Sequence, residues 1–151
     1  ALKFASRSLD LTRELNFKRL EPVDLYNMGF FNLMMGNAQE AVSLFKESRT
    51  SADQADPGFQ KELLFNMGDA LARTGDEEGA QEAYEAVLAP AQAAKDWRKV
   101  MGANEWLAEQ QIREGDSTAA RVLLQAAVKA AETGDLREER KGLRRKLESL
   151  A

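Results

Sequence analysis

The sequence predicts an all-α protein built from antiparallel helix pairs, and three observations lead there. A sparse pattern occurs twice: Asn27-Met28-Gly29, Gly36-Asn37, Ala41 and Phe45, then Asn66-Met67-Gly68, Gly75-Asp76, Ala80 and Tyr84. In each copy the Gly of the Met-Gly pair lies seven residues before the turn Gly, which lies five before the Ala. Ala1 and Ala120 align on Ala41 and Ala80, so an interval of 39 to 40 residues runs through the whole chain, as in proteins whose units stack on their neighbours. Within each unit the apolar residues recur at three- and four-residue spacings, the period of an amphipathic helix. Finally, 7% aromatic content and three prolines in 151 residues favour helices over a strand-rich fold.

Taken in order, residues 1–15 place Leu2, Leu9, Leu11 and Leu15, with Phe4 and Ala5, on an apolar helix face. They read as the second helix of a pair whose first helix is missing, so the chain is expected to be a fragment or to have lost that helix. Residues 16–21 connect to a helix over about 22–35, where Pro22 suits the first turn because its absent N–H needs no partner there. This helix carries Leu25, Met28, Phe30, Phe31, Leu33 and Met34, and Gly29 lets a neighbouring helix come close. Gly36-Asn37 is a turn in which Gly accepts positive φ and Asn caps the next helix. Over 38–51, Ala41, Leu44, Phe45 and Ser48 face back toward the first helix.

The run 51–56 leads into Pro57-Gly58, with Asp56 as a capping carboxylate before a ring of preset φ. Leu63, Leu64, Met67, Gly68 and Leu71 mark a helix over 57–74. After Gly75, the acids Asp76-Glu77-Glu78 offset the dipole at the start of a helix over about 77–94, which holds Ala80, Ala83, Tyr84, Val87 and Leu88. Pro90 removes the hydrogen bond to the Ala86 carbonyl and predicts a kink or stop near Ala89. A third pair follows over 98–114 and 118–133, with Leu107-Ala108 in place of Met-Gly and Gly115-Asp116-Ser117 at the turn. Leu136, Leu143, Leu147 and Leu150 then form a narrow stripe among Arg, Lys and Glu, as a terminal helix needs. The expected organisation is a single domain over 1–151: a truncated repeat (1–20), three repeats (21–56, 57–96, 97–134) and a capping helix (135–151).

Cysteine and histidine are both absent. That removes disulfides, thiolate nucleophiles, Cys/His zinc sites and the commonest general base, so neither a cofactor, a metal nor an enzyme is expected. A net charge of −4 argues against a nucleic-acid surface, which would be basic. The ends are nevertheless basic (Lys3, Arg7, Arg13, Lys18 and Arg19; Lys141, Arg144, Arg145 and Lys146) and the middle acidic. These are either solvated helix faces or surfaces joining neighbouring repeats or an acidic partner. No apolar run approaches the roughly 18 to 20 residues of a membrane span. A cytoplasmic setting is the expectation.

Paired helices, Gly at their crossing, Gly-Asp or Gly-Asn at the turn and Ala in the second helix resemble the tetratricopeptide repeat. The 39- to 40-residue interval is similar to the long-repeat branch of that family, which includes spindle-orientation scaffolds, kinesin light chains and peptide-sensing bacterial regulators. The resemblance implies a right-handed superhelix whose first helices line a concave peptide-binding groove. It also implies a ligand-bonding role for the Asn before the Met-Gly pair, matched at Asn27 and Asn66 and replaced by Trp106 in the third unit. By helical spacing alone, Tyr26, Phe30, Phe65, Asp69, Arg73, Glu105 and Glu109 lie within a turn of that surface. An Asn amide offers what a peptide bond needs, although Asn27 and Asn66 could equally brace adjacent helices, and Trp106 could be a packing residue. The leading expectation is a non-enzymatic scaffold engaging a protein or peptide, with ligands carrying Lys or Arg favoured by the acidic middle. The alternative is a self-assembling or regulatory module of a larger protein, associating through its N-terminal helix.

Overall fold

The computed structural model describes residues 1–52 and 56–150, and every regular element among them is an α-helix. They are α1 (Leu2–Glu14), α2 (Glu21–Met34), α3 (Ala38–Ser51), α4 (Pro57–Thr74), α5 (Glu77–Ala93), α6 (Trp97–Glu114), α7 (Ser117–Thr133) and α8 (Arg137–Ser149). The expected connection over 53–55 lies outside the described residues. The chain packs as two compact units, Ala1–Ala80 and Gln81–Ala151, with the boundary inside α5.

In the first unit α1 packs on α2, α2 on α3 and α3 on α4. Leu9, Leu25 and Leu44 form a buried cluster against Met28. Gly29 has the role its sequence position suggested: a Cβ there would lie 2.7 Å from the Phe45 ring, which is itself fully buried. Ser48, also fully buried, donates its hydroxyl to the Pro22 carbonyl at 2.7 Å and so ties α3 to the first turn of α2. Asp24 of α2 accepts from Ser8 at 2.8 Å and Thr12 at 2.6 Å on α1. The face α1 turns inward is Ala5, Leu9 and Thr12, whereas Leu11 and Leu15 are exposed. Leu9 and Leu11 are two residues apart, about 200° around a helix, and cannot share a face.

In the second unit α6 packs on α7 and α7 on α8. Alanines fill much of this interior: Ala103 and Ala108 on α6 and Ala120, Ala127 and Ala131 on α7 are fully buried, as is Leu124. Leu143 is the buried anchor of α8, and Arg121 donates to the Leu150 carbonyl at 2.7 Å.

Gly36, Gly75 and Gly115 each take positive φ after a helix. Asp56, Asp76, Asp96 and Asp116 cap the following helices through backbone N–H groups. Asn37 departs from its expected role and makes no side-chain cap; its amide instead donates to Asn32 Oδ1 at 3.3 Å. α5 does not stop before Pro90 but continues to Ala93. The carbonyl released at Ala86 belongs to an exposed residue, where water can satisfy it.

Candidate functional site

The candidate residues divide between the two units. In the first unit Tyr26 is half-buried on α2. Its ring lies 6.3 Å from Phe30, 5.8 Å from Phe45 and 5.7 Å, edge-on, from Phe59 at the start of α4. The helical period sets this up, because Tyr26 and Phe30 are one turn apart. Asn66 of α4 donates its amide to the Tyr26 hydroxyl at 2.9 Å and to the Glu62 carbonyl at 2.9 Å, using both N–H groups. Two functions of this pair then have no partner among the described residues, the acceptor Oδ1 of Asn66 and the O–H of Tyr26. Burial pushes the Tyr26 phenol above its ordinary value, the Glu62 carboxylate adds to the shift, and the Asn66 bond opposes it.

Asn27 is exposed, and its amide makes no side-chain hydrogen bond among the described residues. Two positions that are equivalent in the repeat therefore differ: Asn66 is held between α2 and its own helix, and Asn27 is open. Asp69 and Arg73 form a two-pronged pair at 3.0 and 2.9 Å. Phe65 is half-buried.

In the second unit Glu105 and Glu109, one turn apart on α6, both accept from Lys146 of α8, at 2.6 and 2.5 Å. Burial alone would lower the Lys146 pKa, but the two carboxylates outweigh it and hold the ammonium above its ordinary value. Arg98 and Glu139 make a parallel link between the same helices at 2.5 Å. Trp106 is half-buried against Tyr84, with ring centroids 4.8 Å apart. The acids assigned to this surface from sequence are thus neutralised within the unit.

Sequence reasoning missed Lys146 as a member of this cluster, and it missed Phe59. A signal existed: Tyr26 and Asn66, Arg98 and Glu139, and Glu105 and Lys146 are all 40 or 41 residues apart. Complementary groups one repeat apart sit side by side on successive first helices.

Among the described residues no group of three or more Asp or Glu could hold a metal ion, and no helix is long and apolar enough to cross a membrane. A family profile for the tetratricopeptide repeat matches residues 62–89, the α4–α5 pair. The crystal structure of BtubC (BKLC) from P. vanneervenii superposes with a TM-score of 0.73 at 19% identity, over 99% of this chain and 63% of that one. The present chain therefore spans about 63% of that structure's length. No curated protein matches the sequence. The chain carries a tetratricopeptide-like repeat in an all-α helical-repeat fold, a fold that is typically a non-catalytic scaffold for protein interaction.

Proposed function

We propose that the surface of α2 and α4 in the first unit binds an extended segment of a partner polypeptide. The observation that carries this reading is the Tyr26–Asn66 pair, with one donor and one acceptor left open beside half-buried aromatic rings. A peptide group presents the complement, a C=O for the Tyr26 O–H and an N–H for Asn66 Oδ1. Asn27 adds a second, unencumbered amide on α2. Each such bond contributes about 0.5 to 1.5 kcal/mol net, or roughly threefold to tenfold in affinity.

The test uses peptides selected from a random display library against the full chain and mapped by amide chemical shifts. Shifts centred on residues 26–30 and 62–69 are expected. Asn27→Ala should weaken binding about threefold or more without moving the melting temperature, since that amide holds nothing in the fold. Peptides that map elsewhere, or that bind the Asn27→Ala and Asn66→Ala variants as tightly as the parent, would refute the reading.

One observation favours a second reading, self-association through α1. Phe4, Leu11 and Leu15 are 82%, 40% and 58% exposed, and they share one face at seven- and four-residue spacing. Arg7 and Glu14, seven apart, flank that face, so an antiparallel second copy sets each Arg7 against the other copy's Glu14. Sedimentation over a range of concentrations should show a dimer that Phe4→Glu disrupts. A monomer at every concentration excludes it.

A further inference from the structure

A cavity of about 600 Å³ opens beside the aromatic cluster of the first unit, between the α1–α2 connection, the first turn of α2 and the start of α4. Pro22, Val23 and Phe59 give it apolar walls, and Lys18 and Arg19 stand on its rim. Phe59 also packs on Tyr26, but Lys18, Arg19, Pro22 and Val23 were not assigned to the peptide surface above.

Lys18 and Arg19 are exposed and form no ion pair with any described residue. The nearby carboxylates make their bonds to other groups. Glu21 and Glu47 both pair with Arg13, at 2.7 and 2.6 Å. Asp24 holds Ser8 and Thr12. Asp56 also lines the cavity; its Oδ1 accepts from the N–H groups of Gly58 and Phe59 at 2.9 and 3.3 Å, bonds that leave its negative charge in place. Lys18 also borders a neighbouring cavity of about 320 Å³. Two cations that make no ion pair among the described residues, beside the apolar walls of Pro22, Val23 and Phe59, suit a ligand with an anion next to an apolar group.

We infer that this cavity is a binding site for an acidic peptide segment, in which a carboxylate side chain meets Lys18 and Arg19 while an adjacent aliphatic or aromatic side chain enters between Val23 and Phe59. Guanidinium and carboxylate match in a two-pronged geometry, and the ammonium supplies a second charge-assisted bond. The site takes the opposite charge from the Lys- or Arg-bearing ligand that the acidic middle of the sequence suggested. The inference stands on its own cavity and cations and does not require the Tyr26–Asn66 surface to bind anything.

The experiment is an amide chemical-shift titration of the full chain with three probes: the dipeptide N-acetyl-leucyl-aspartate amide, its asparaginyl counterpart and inorganic phosphate. The aspartyl dipeptide should shift residues 17–23 and 56–60 at millimolar concentration, and the neutral dipeptide should bind roughly tenfold more weakly, the loss expected for a charge-assisted contact. Phosphate should give no comparable saturation. Lys18→Gln with Arg19→Gln should abolish the effect at an unchanged melting temperature, and Val23→Asp, on an exposed position of α2, should do the same by adding negative charge at the apolar wall. Equal binding of both dipeptides, matching shifts from phosphate, absence of shifts at these residues, or persistence of binding in either variant would overturn the assignment. Asn27→Ala, whose amide holds nothing in the fold, serves as the control that leaves this site unchanged, so its failure and that of the α2–α4 surface are told apart.

Discussion

The links between successive first helices differ in kind between the two units. In the first, α2 and α4 meet through a tyrosine hydroxyl and an asparagine amide set among aromatic rings. In the second, α6 and α8 meet through ions, with Lys146 between Glu105 and Glu109 and Arg98 on Glu139. The interiors differ as well: Phe45 fills the space left at Gly29 in the first, and the second buries Leu124 and many alanines. One repeat geometry thus accepts two solutions to the same joint. A neutral, half-buried link keeps hydrogen-bonding capacity open, whereas an ionic link uses its charges up.

The largest expected effect concerns the interiors. Phe45 and Leu124 occupy the same position in their repeats. Phe45→Ala should cost about 3 to 5 kcal/mol and Leu124→Ala about 2 to 5, with the phenylalanine the worse of the two because its ring fills the glycine notch. Urea unfolding with both variants checks this, and a costlier Leu124→Ala would reverse the ranking of the two cores.

Next come the joints. A double-mutant cycle on Tyr26→Phe and Asn66→Ala should return a coupling of about 0.5 to 1.5 kcal/mol that salt does not change. The raised Tyr26 pKa has a sign that can be read as well. The phenol favours the folded state while protonated, so its contribution is complete below pH 10.0, the ordinary value, and is lost as pH rises through the higher folded-state value. Alkaline unfolding of Tyr26→Phe should lack that component. A Tyr26→Phe profile that matches the parent would remove the distinction drawn for this joint.

The smallest effect is expected at Lys146, whose side chain is 42% exposed. Lys146→Met should cost about 0.5 kcal/mol at low ionic strength and nearly nothing in molar salt. A salt-insensitive loss would mean that the second joint is held by packing rather than charge.

How much of the site could be read in advance follows from this contrast. Helical spacing put Tyr26, Phe30 and Asn66 on one surface, and side-chain contact then joined Tyr26 to Asn66. Spacing could not distinguish Asn27 from Asn66, because the two share every local neighbour that the repeat defines. Their difference comes from α2 lying beside α4 and presenting Tyr26 to Asn66 alone. Glu105 and Glu109 read as an acidic surface until Lys146 was seen beside them, from a helix more than thirty residues away.

What the sequence determined by itself was the all-α class, the helix pairs, the turn glycines and the small residue at the α2–α3 crossing. Each of these is written in spacings of a few residues or in one repeated interval, and backbone sterics and helical periodicity act at that range. Tertiary structure decided which face of α1 is buried, which carboxylates are neutralised and which cations make no ion pair among the described residues. Those outcomes depend on which side chains meet across helices, and the pattern within a single helix does not contain that.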